Sequence, residues 1–135
     1  MELPESARAI VESGELAHLV TRNPDGSPQI SCVWVGIEGG EIVSGHLRAS
    51  FQKLRNVRRD PRVALSIADE RNPYHNAQIR GRVVETVDGD EALEIIDRLA
   101  VKYTGRPFPM RSGRVYMVEA EKVQQMTLPF THTPQ

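Results

Sequence analysis

Residues 45–63 read GHLRASFQKLRNVRRDPRV, and the hydrophobic periodicity of the chain changes within this stretch. A strand ends where the stretch begins. Phe51, Leu54 and Val57 then recur every three residues, which predicts a short helix that begins near residue 50. The dipeptide Asp60-Pro61 ends the helix, because proline disfavours a helical conformation in the residue before it. The stretch therefore predicts a strand, a helix and a second strand in close succession.

On both sides of this stretch, alternating apolar and polar residues predict β-strands. Asn23-Pro24-Asp25-Gly26 and Glu38-Gly39-Gly40 are turn signals between strands, and Gly81 predicts a bulge inside one. Six strands with antiparallel neighbours and few helices indicate a mainly β fold, a small closed barrel. The predicted strands are 16–21, 29–35, 41–45, 62–68, 77–87 and 114–120, and the predicted helices are 4–13, about 50–59 and 88–103 with Asp88 as the cap.

Length and composition exclude several classes of protein. The 135 residues suit one domain spanning 1–135, and a net charge of −1 gives no general attraction to nucleic acid or membranes. No apolar run approaches the ~20 residues of a membrane helix. The single cysteine, Cys32, and the lack of a signal-peptide pattern predict a cytoplasmic protein. Four histidines and one cysteine without metal-ligand spacing predict no metal site.

The start of the predicted helix is a candidate anion site. A helix N-terminus carries unpaired N–H groups and a partial positive charge, which suit a phosphate. Arg48 precedes the helix, Ser50 is placed to cap it, and Gln52 and Lys53 lie in its first turn, with His46 close by. A cation in the first turn opposes the helix dipole, and a bound anion would remove that conflict. The alternative is a surface helix whose charges are only solvated.

Several segments along the chain occur in an order typical of one known superfamily. They are residues 50–63, 23–29 followed by 33–36, Asn72-Pro73-Tyr74, 80–83 and Arg114-Val115. Together they resemble the pyridoxamine 5'-phosphate oxidase-like superfamily of split barrels, and in particular its actinobacterial branch that uses the deazaflavin F420. The resemblance implies a six-stranded antiparallel split β-barrel of Greek-key type that binds FMN or F420. It also implies a homodimer with cofactor sites between the subunits.

The resemblance also implies the positions of the cofactor-binding residues. Lys53 would contact the phosphate, and Gln52 stands where FMN-binding relatives often have a second basic residue, which favours F420. Ser31, Val33 and Trp34 would lie near the ring system, and Asn76 or Gln78 would reach it from a later strand. For Trp34, the alternatives are a core residue or a dimer contact. The sequence identifies no catalytic residue.

The function that the resemblance implies is an oxidoreductase that passes a hydride from reduced F420 to a small conjugated substrate. An FMN-dependent oxidase or reductase on the same fold is the first alternative. A non-catalytic protein that stores or senses a flavin, F420 or a tetrapyrrole is the second. A purely structural barrel without a ligand is the third. For the ligand-binding functions, the expected partners are a small molecule and a second copy of the chain, with neither nucleic acid nor a membrane involved.

Overall fold

The computed structural model describes residues 1–46 and 52–135. These residues form one antiparallel sheet of seven strands, and three helices pack beside it. The elements in chain order are α1 (Glu5–Glu12), β1 (Ala17–Arg22), β2 (Pro28–Val33), β3 (Gly36–Glu38), β4 (Glu41–His46), α2 (Gln52–Arg59), β5 (Arg62–Asp69), β6 (Asn72–Val87), α3 (Gly89–Thr104) and β7 (Arg114–Thr127).

The seven strands follow the order β2-β1-β5-β6-β7-β4-β3, so β2 and β3 form the two ends of the sheet. Every strand pair is antiparallel. The ends of the sheet approach each other because β2 runs almost directly into β3. The Ser44 hydroxyl of β4 donates a 2.7 Å hydrogen bond to the Trp34 carbonyl, which fastens the join. The result is a barrel that is split between β2 and β3, the two ends of the sheet, and the predicted fold class is confirmed.

The interior of the barrel follows from strand alternation. Val63, Leu65 and Ile67 of β5 are all buried, as the sequence predicts for one face of that strand. Ala7, Ile10 and Val11 give α1 an apolar stripe at helical spacing, and they pack into the same cluster. A second apolar cluster lies between α3 and the strands β4 and β7. The barrel therefore has a continuous inner core and a helix-covered flank.

Gly81 allows a close approach between β6 and β7. The register between these strands shifts at Arg80/Gly81, as expected for the predicted bulge. A Cβ atom at position 81 would lie only 2.2 Å from the Glu119 carbonyl oxygen. Glycine is required here because the neighbouring backbone occupies the space of a side chain.

Four sequence predictions differ from the structure. A three-residue strand, β3, raises the strand count from six to seven. The predicted loop before residue 77 is mostly strand, because β6 begins at Asn72. The last strand continues to Thr127 instead of ending at residue 120, since residues 122–127 pair with residues 75–80 of β6. Asp88 occupies the N-cap position of α3 without a side-chain capping bond, and its carboxylate instead pairs with Arg114 at 2.8 Å.

The helices of the described residues are short. None within residues 1–46 and 52–135 is long and apolar enough to cross a lipid bilayer.

Candidate functional site

The candidate site lies at the corner where β4 ends and α2 begins. His46 is the last residue of β4, and its backbone is paired with Arg114 of β7. Arg48 and Ser50 fall outside the described residues, so their predicted contacts with a phosphate stay predictions. The described part of the corner consists of the end of β4, the first turn of α2 and the facing part of β2.

The first turn of α2 holds a partly buried cation. Lys53 has intermediate burial, and the pKa of its ammonium group is lowered because burial removes water from the charged form. The turn contains no acidic residue. Leu54 and Val57, which are 0% and 6% exposed, anchor the helix in the core. A positive charge thus stands at the helix end whose dipole already favours an anion.

Gln52, also in this turn, has its side-chain amide engaged within the helix. Its Nε2 donates to Asn56 Oδ1 at 2.7 Å, and its Oε1 accepts from Arg55 at 2.6 Å. A direct contact between Gln52 and a cofactor would require these bonds to rearrange. Its predicted contact with the cofactor stays a prediction. The structure shows a second role for Gln52, because its side chain is hydrogen-bonded to two other residues of α2.

Asn56 lies at the centre of a polar network that the sequence analysis did not identify. Its side chain is fully buried, and its Nδ2 donates to Thr21 Oγ1 and Asn23 Oδ1, both at 3.0 Å. Arg59 reaches the Asn56 side-chain oxygen at 3.4 Å and also donates to the Arg22 carbonyl. The network joins α2 to the β1–β2 hairpin. The only sequence signal was an asparagine between two apolar positions on the buried side of the helix.

The second wall of the corner is the edge strand β2. Val33 is buried at 4% exposure, and Ser31 lies on the same inward face, paired in register with Leu19. The Ser31 hydroxyl is buried and has no hydrogen-bond partner among residues 1–46 and 52–135. A buried polar atom without a partner is costly, so this hydroxyl suits a ligand atom. Within the described residues, β2 also pairs with β1 alone, which leaves its other edge available.

Trp34 lies beyond β2 and packs against α3. Its ring stacks on Tyr103 with a centroid distance of 5.5 Å and an interplanar angle of 7°, and it meets Phe108 edge-on at 6.5 Å. The Tyr103 hydroxyl donates to the Glu15 carbonyl at 2.7 Å and accepts from the Val35 N–H at 3.1 Å. These contacts hold the half-buried Trp34 where β2 turns into β3, and its predicted place near a cofactor ring stays a prediction.

The structure does not bring Asn76 and Gln78 to this corner within one chain. Both lie on β6, which β1 and β5 separate from β2, and Gln78 is exposed on the outer face of the sheet. There it lines a concavity of about 500 Å³ together with Ile30, which is 60% exposed. Asn76 donates to the Pro73 carbonyl at 3.1 Å. Ser31 faces inward and Gln78 outward, so they could share a ligand only through a second chain.

The described residues offer binding groups and no evident catalytic dyad. They contain no group of three or more His, Cys, Asp or Glu side chains able to hold a metal ion. Burial raises the pKa of Tyr116, beside Ser44, to about 12, so this phenol stays protonated. Lys102 donates to the Val35 carbonyl, which gives it a structural partner.

The chain matches a known family over most of its length. Residues 3–127 match the family described as pyridoxamine 5'-phosphate oxidase. A comparison with curated proteins found no significant match. The family match covers all seven strands of the barrel and leaves out residues 1–2 and 128–135.

Solved structures share the fold. An F420 reductase has 28% sequence identity and a TM-score of 0.79, over 90% of this chain and 98% of that chain. A conserved hypothetical protein from Mycobacterium tuberculosis has 25% identity and a TM-score of 0.77, over 98% and 93% of the two chains. An FMN-binding protein from Syntrophomonas wolfei has 14% identity and a TM-score of 0.69, over 92% and 86%. At 14% identity, the last similarity concerns the fold alone.

Proposed function

Because the chain belongs to the pyridoxamine 5'-phosphate oxidase family, we propose that it is an oxidoreductase that passes a hydride from reduced F420 to a small conjugated substrate. The observation that carries the proposal is the partly buried Lys53 in the first turn of α2. Its charge and the helix dipole both favour a phosphate at this corner. The 28% identity to an F420 reductase supports F420 as the cofactor.

The residues of the corner fit a flavin-like cofactor with a phosphorylated tail. Lys53 would bind the phosphate, with Arg48 and Ser50 as the predicted further donors. The Ser31 hydroxyl, which lacks a partner among the described residues, would bind a polar atom of the ring system. One edge of β2 pairs with no strand among residues 1–46 and 52–135, and it would supply backbone groups in a fixed line. Val33 would exclude water from the inner side.

The chain itself would bind and orient, since reduced F420 supplies the hydride. Lys53 would neutralise the tail, which fixes one end of the ligand. Ser31 and the β2 edge would fix the other end. Trp34, clamped by Tyr103 and Phe108, would keep the β2–β3 connection rigid so that the reacting face keeps a constant distance from the substrate pocket.

A homodimer would complete the site. The outer face of the sheet carries Ile30, Val20 and Ala64 as apolar residues beside Gln78. A second copy covering this face would remove exposed apolar surface and could bring its Gln78 or Asn76 to the corner of the first copy. Sedimentation of the wild type and of Ile30→Glu tests this: we expect a dimer for the wild type and a monomer for the variant. A monomeric wild type would contradict the shared site.

FMN is the second candidate cofactor, because the sequence resemblance to the family that the chain matches implies either FMN or F420. A fluorescence titration of the purified protein with FMN and with F420 separates the two. We expect tighter binding of F420. Tighter binding of FMN would replace the cofactor while keeping the site, and binding of neither would refute the proposal.

Turnover separates an enzyme from a storage or sensing protein. The protein with its bound cofactor, reduced, is mixed with a panel of quinones, nitroaromatics and biliverdin, and cofactor oxidation is followed by absorbance. We expect faster oxidation than in the free cofactor for at least one acceptor class. Binding without any such acceleration would favour the non-catalytic alternative.

A further inference from the structure

We propose that Asn56 is a positioning residue that sets the orientation of α2 and thereby the placement of the phosphate-binding turn. The proposal rests on the proposed function, because it assigns the role through the phosphate of the cofactor. Asn56 belongs to the second turn of the helix. It would act through Lys53 and Gln52, and not by touching the ligand.

The hydrogen bonds of Asn56 use the full capacity of its side chain. A primary amide has two N–H donors and an oxygen with two lone pairs. Both donors are used, by Thr21 and Asn23, and the oxygen accepts from Gln52 at 2.7 Å and from Arg59 at 3.4 Å. The side chain is 0% exposed. An amide so fully bonded in the interior has one orientation, because any rotation leaves buried polar atoms unpaired.

The bonds from Asn56 end on a rigid part of the barrel. Thr21 is 1% exposed and lies in β1, which pairs with β2 on one side and with β5 on the other. Asn23 closes the following turn through a 2.8 Å bond from its N–H to the Ser27 carbonyl. The helix is therefore fixed to the same hairpin that carries Ser31. The hydrogen bonds from Asn56 to Thr21 and Asn23 thus connect the two walls of the candidate site, and we call them the polar joint.

The polar joint restricts rotation of α2 about its own axis, which apolar packing alone does not prevent. Leu54 and Val57 hold α2 against the core, but hydrophobic contacts are non-directional and allow small rotations of the helix about its axis. Lys53 lies one turn before Asn56 on the same side of the helix. The bond from Gln52 to Asn56 carries the constraint into the first turn. Without the joint, the ammonium group of Lys53 would sample several positions relative to the β2 edge.

The test compares ligands with and without the phosphate. Dissociation constants are measured by fluorescence for FMN and riboflavin, or for F420 and its phosphate-free chromophore if the wild type binds only F420. The phosphate preference is the dissociation constant of the phosphate-free ligand divided by that of the phosphorylated ligand. Thr21→Val removes one acceptor of the joint, and Thr21→Ser keeps it while losing a methyl group. Asn56→Ala removes the whole joint, and Val57→Ala is a buried control on the same helix.

We expect Asn56→Ala to lower the phosphate preference about tenfold or more and Thr21→Val to lower it about threefold, as losing one to two hydrogen bonds implies. Thr21→Ser and Val57→Ala should keep the wild-type preference although they also lower the melting temperature. If the variants acted only by lowering stability, the phosphate preference would change equally in all four or in none. Either result would contradict the positioning role. If Asn56→Ala does not fold, the Thr21 pair decides the question.

The outcomes separate this inference from the proposed function. A wild type that prefers the phosphorylated ligand, together with Thr21→Val and Asn56→Ala variants that keep the preference, would overturn the positioning role alone. A wild type that binds neither FMN nor F420 would overturn the proposed function, and the positioning role with it. A wild type without any phosphate preference would show that the cofactor binds elsewhere.

Discussion

Replacing Lys53 by methionine tests the role of the charge in the first turn of α2. Methionine keeps a flexible apolar stem of similar length, so the partly buried environment of the side chain stays filled. A hydrogen bond from an ammonium group to a phosphate contributes about 1.5–3 kcal/mol. Its loss should weaken binding of FMN or F420 by roughly tenfold to hundredfold. Binding of riboflavin, which has no phosphate, should change by less than about twofold.

The pH dependence of binding provides a second test of Lys53, with Lys53→Arg as the matched control for Lys53→Met. Burial lowers the pKa of Lys53 in the free protein, so its proton is lost at a lower pH than from a solvated lysine. Affinity for the phosphorylated ligand should therefore fall as the pH rises through this lowered pKa. In Lys53→Arg the charge persists, and the fall should be absent. Fluorescence titrations between neutral and alkaline pH measure both effects. If Lys53→Met binds the phosphorylated ligand as tightly as the wild type, the phosphate does not lie at this turn.

Two further predictions concern the fold that carries the site. Gly81→Ala places a Cβ atom 2.2 Å from the Glu119 carbonyl oxygen and should lower the free energy of unfolding, with overpacking typically costing about 1–3 kcal/mol. Thermal unfolding checks this, with the exposed neighbour Arg82→Ala as control, and an unchanged melting temperature would contradict the bulge geometry. Arg62 holds the pKa of the Asp60 carboxyl well below its usual range, so Asp60→Asn should be less stable than the wild type at neutral pH. The difference in unfolding free energy between the wild type and Asp60→Asn should be complete above the ordinary carboxyl pKa. It should shrink as the pH falls toward the lowered pKa of Asp60. A difference that does not depend on pH would rule out this ion pair.

The sequence predicts the parts of the fold that local periodicity determines. Val63, Leu65 and Ile67 alternate because one face of β5 is buried, and α2 ends at the predicted Asp60-Pro61. The sequence did not predict the early part of β6 and the end of β7, because local periodicity does not determine them. Where they pair with each other, as in Asn76 with Met126, the β6 residues are half-buried and the β7 residues are mostly exposed, so no clear hydrophobic pattern marks the pairing. Pro73 stands beside the start of β6, at the end of a strand, where proline is tolerated.

The candidate site could be predicted only where its residues are close together in the chain. Gln52 and Lys53 follow from the helix start, which one segment reveals. The bond from Asn56 to Thr21 joins residues that are 35 positions apart, and no local pattern indicates such a pair. The stack of Trp34 on Tyr103 also depends on how α3 packs against the barrel. Long-range packing thus decides which polar residues bind a ligand and which hold the fold.

A crystal structure of the protein with FMN or F420 bound is the most direct measurement of where the anionic tail lies. We predict that the phosphate contacts the first turn of α2 within hydrogen-bond distance of Lys53, with the ring system along the edge of β2 near Ser31. A structure in which the phosphate lies elsewhere, or in which the protein's own side chains fill this turn, would contradict the assigned site.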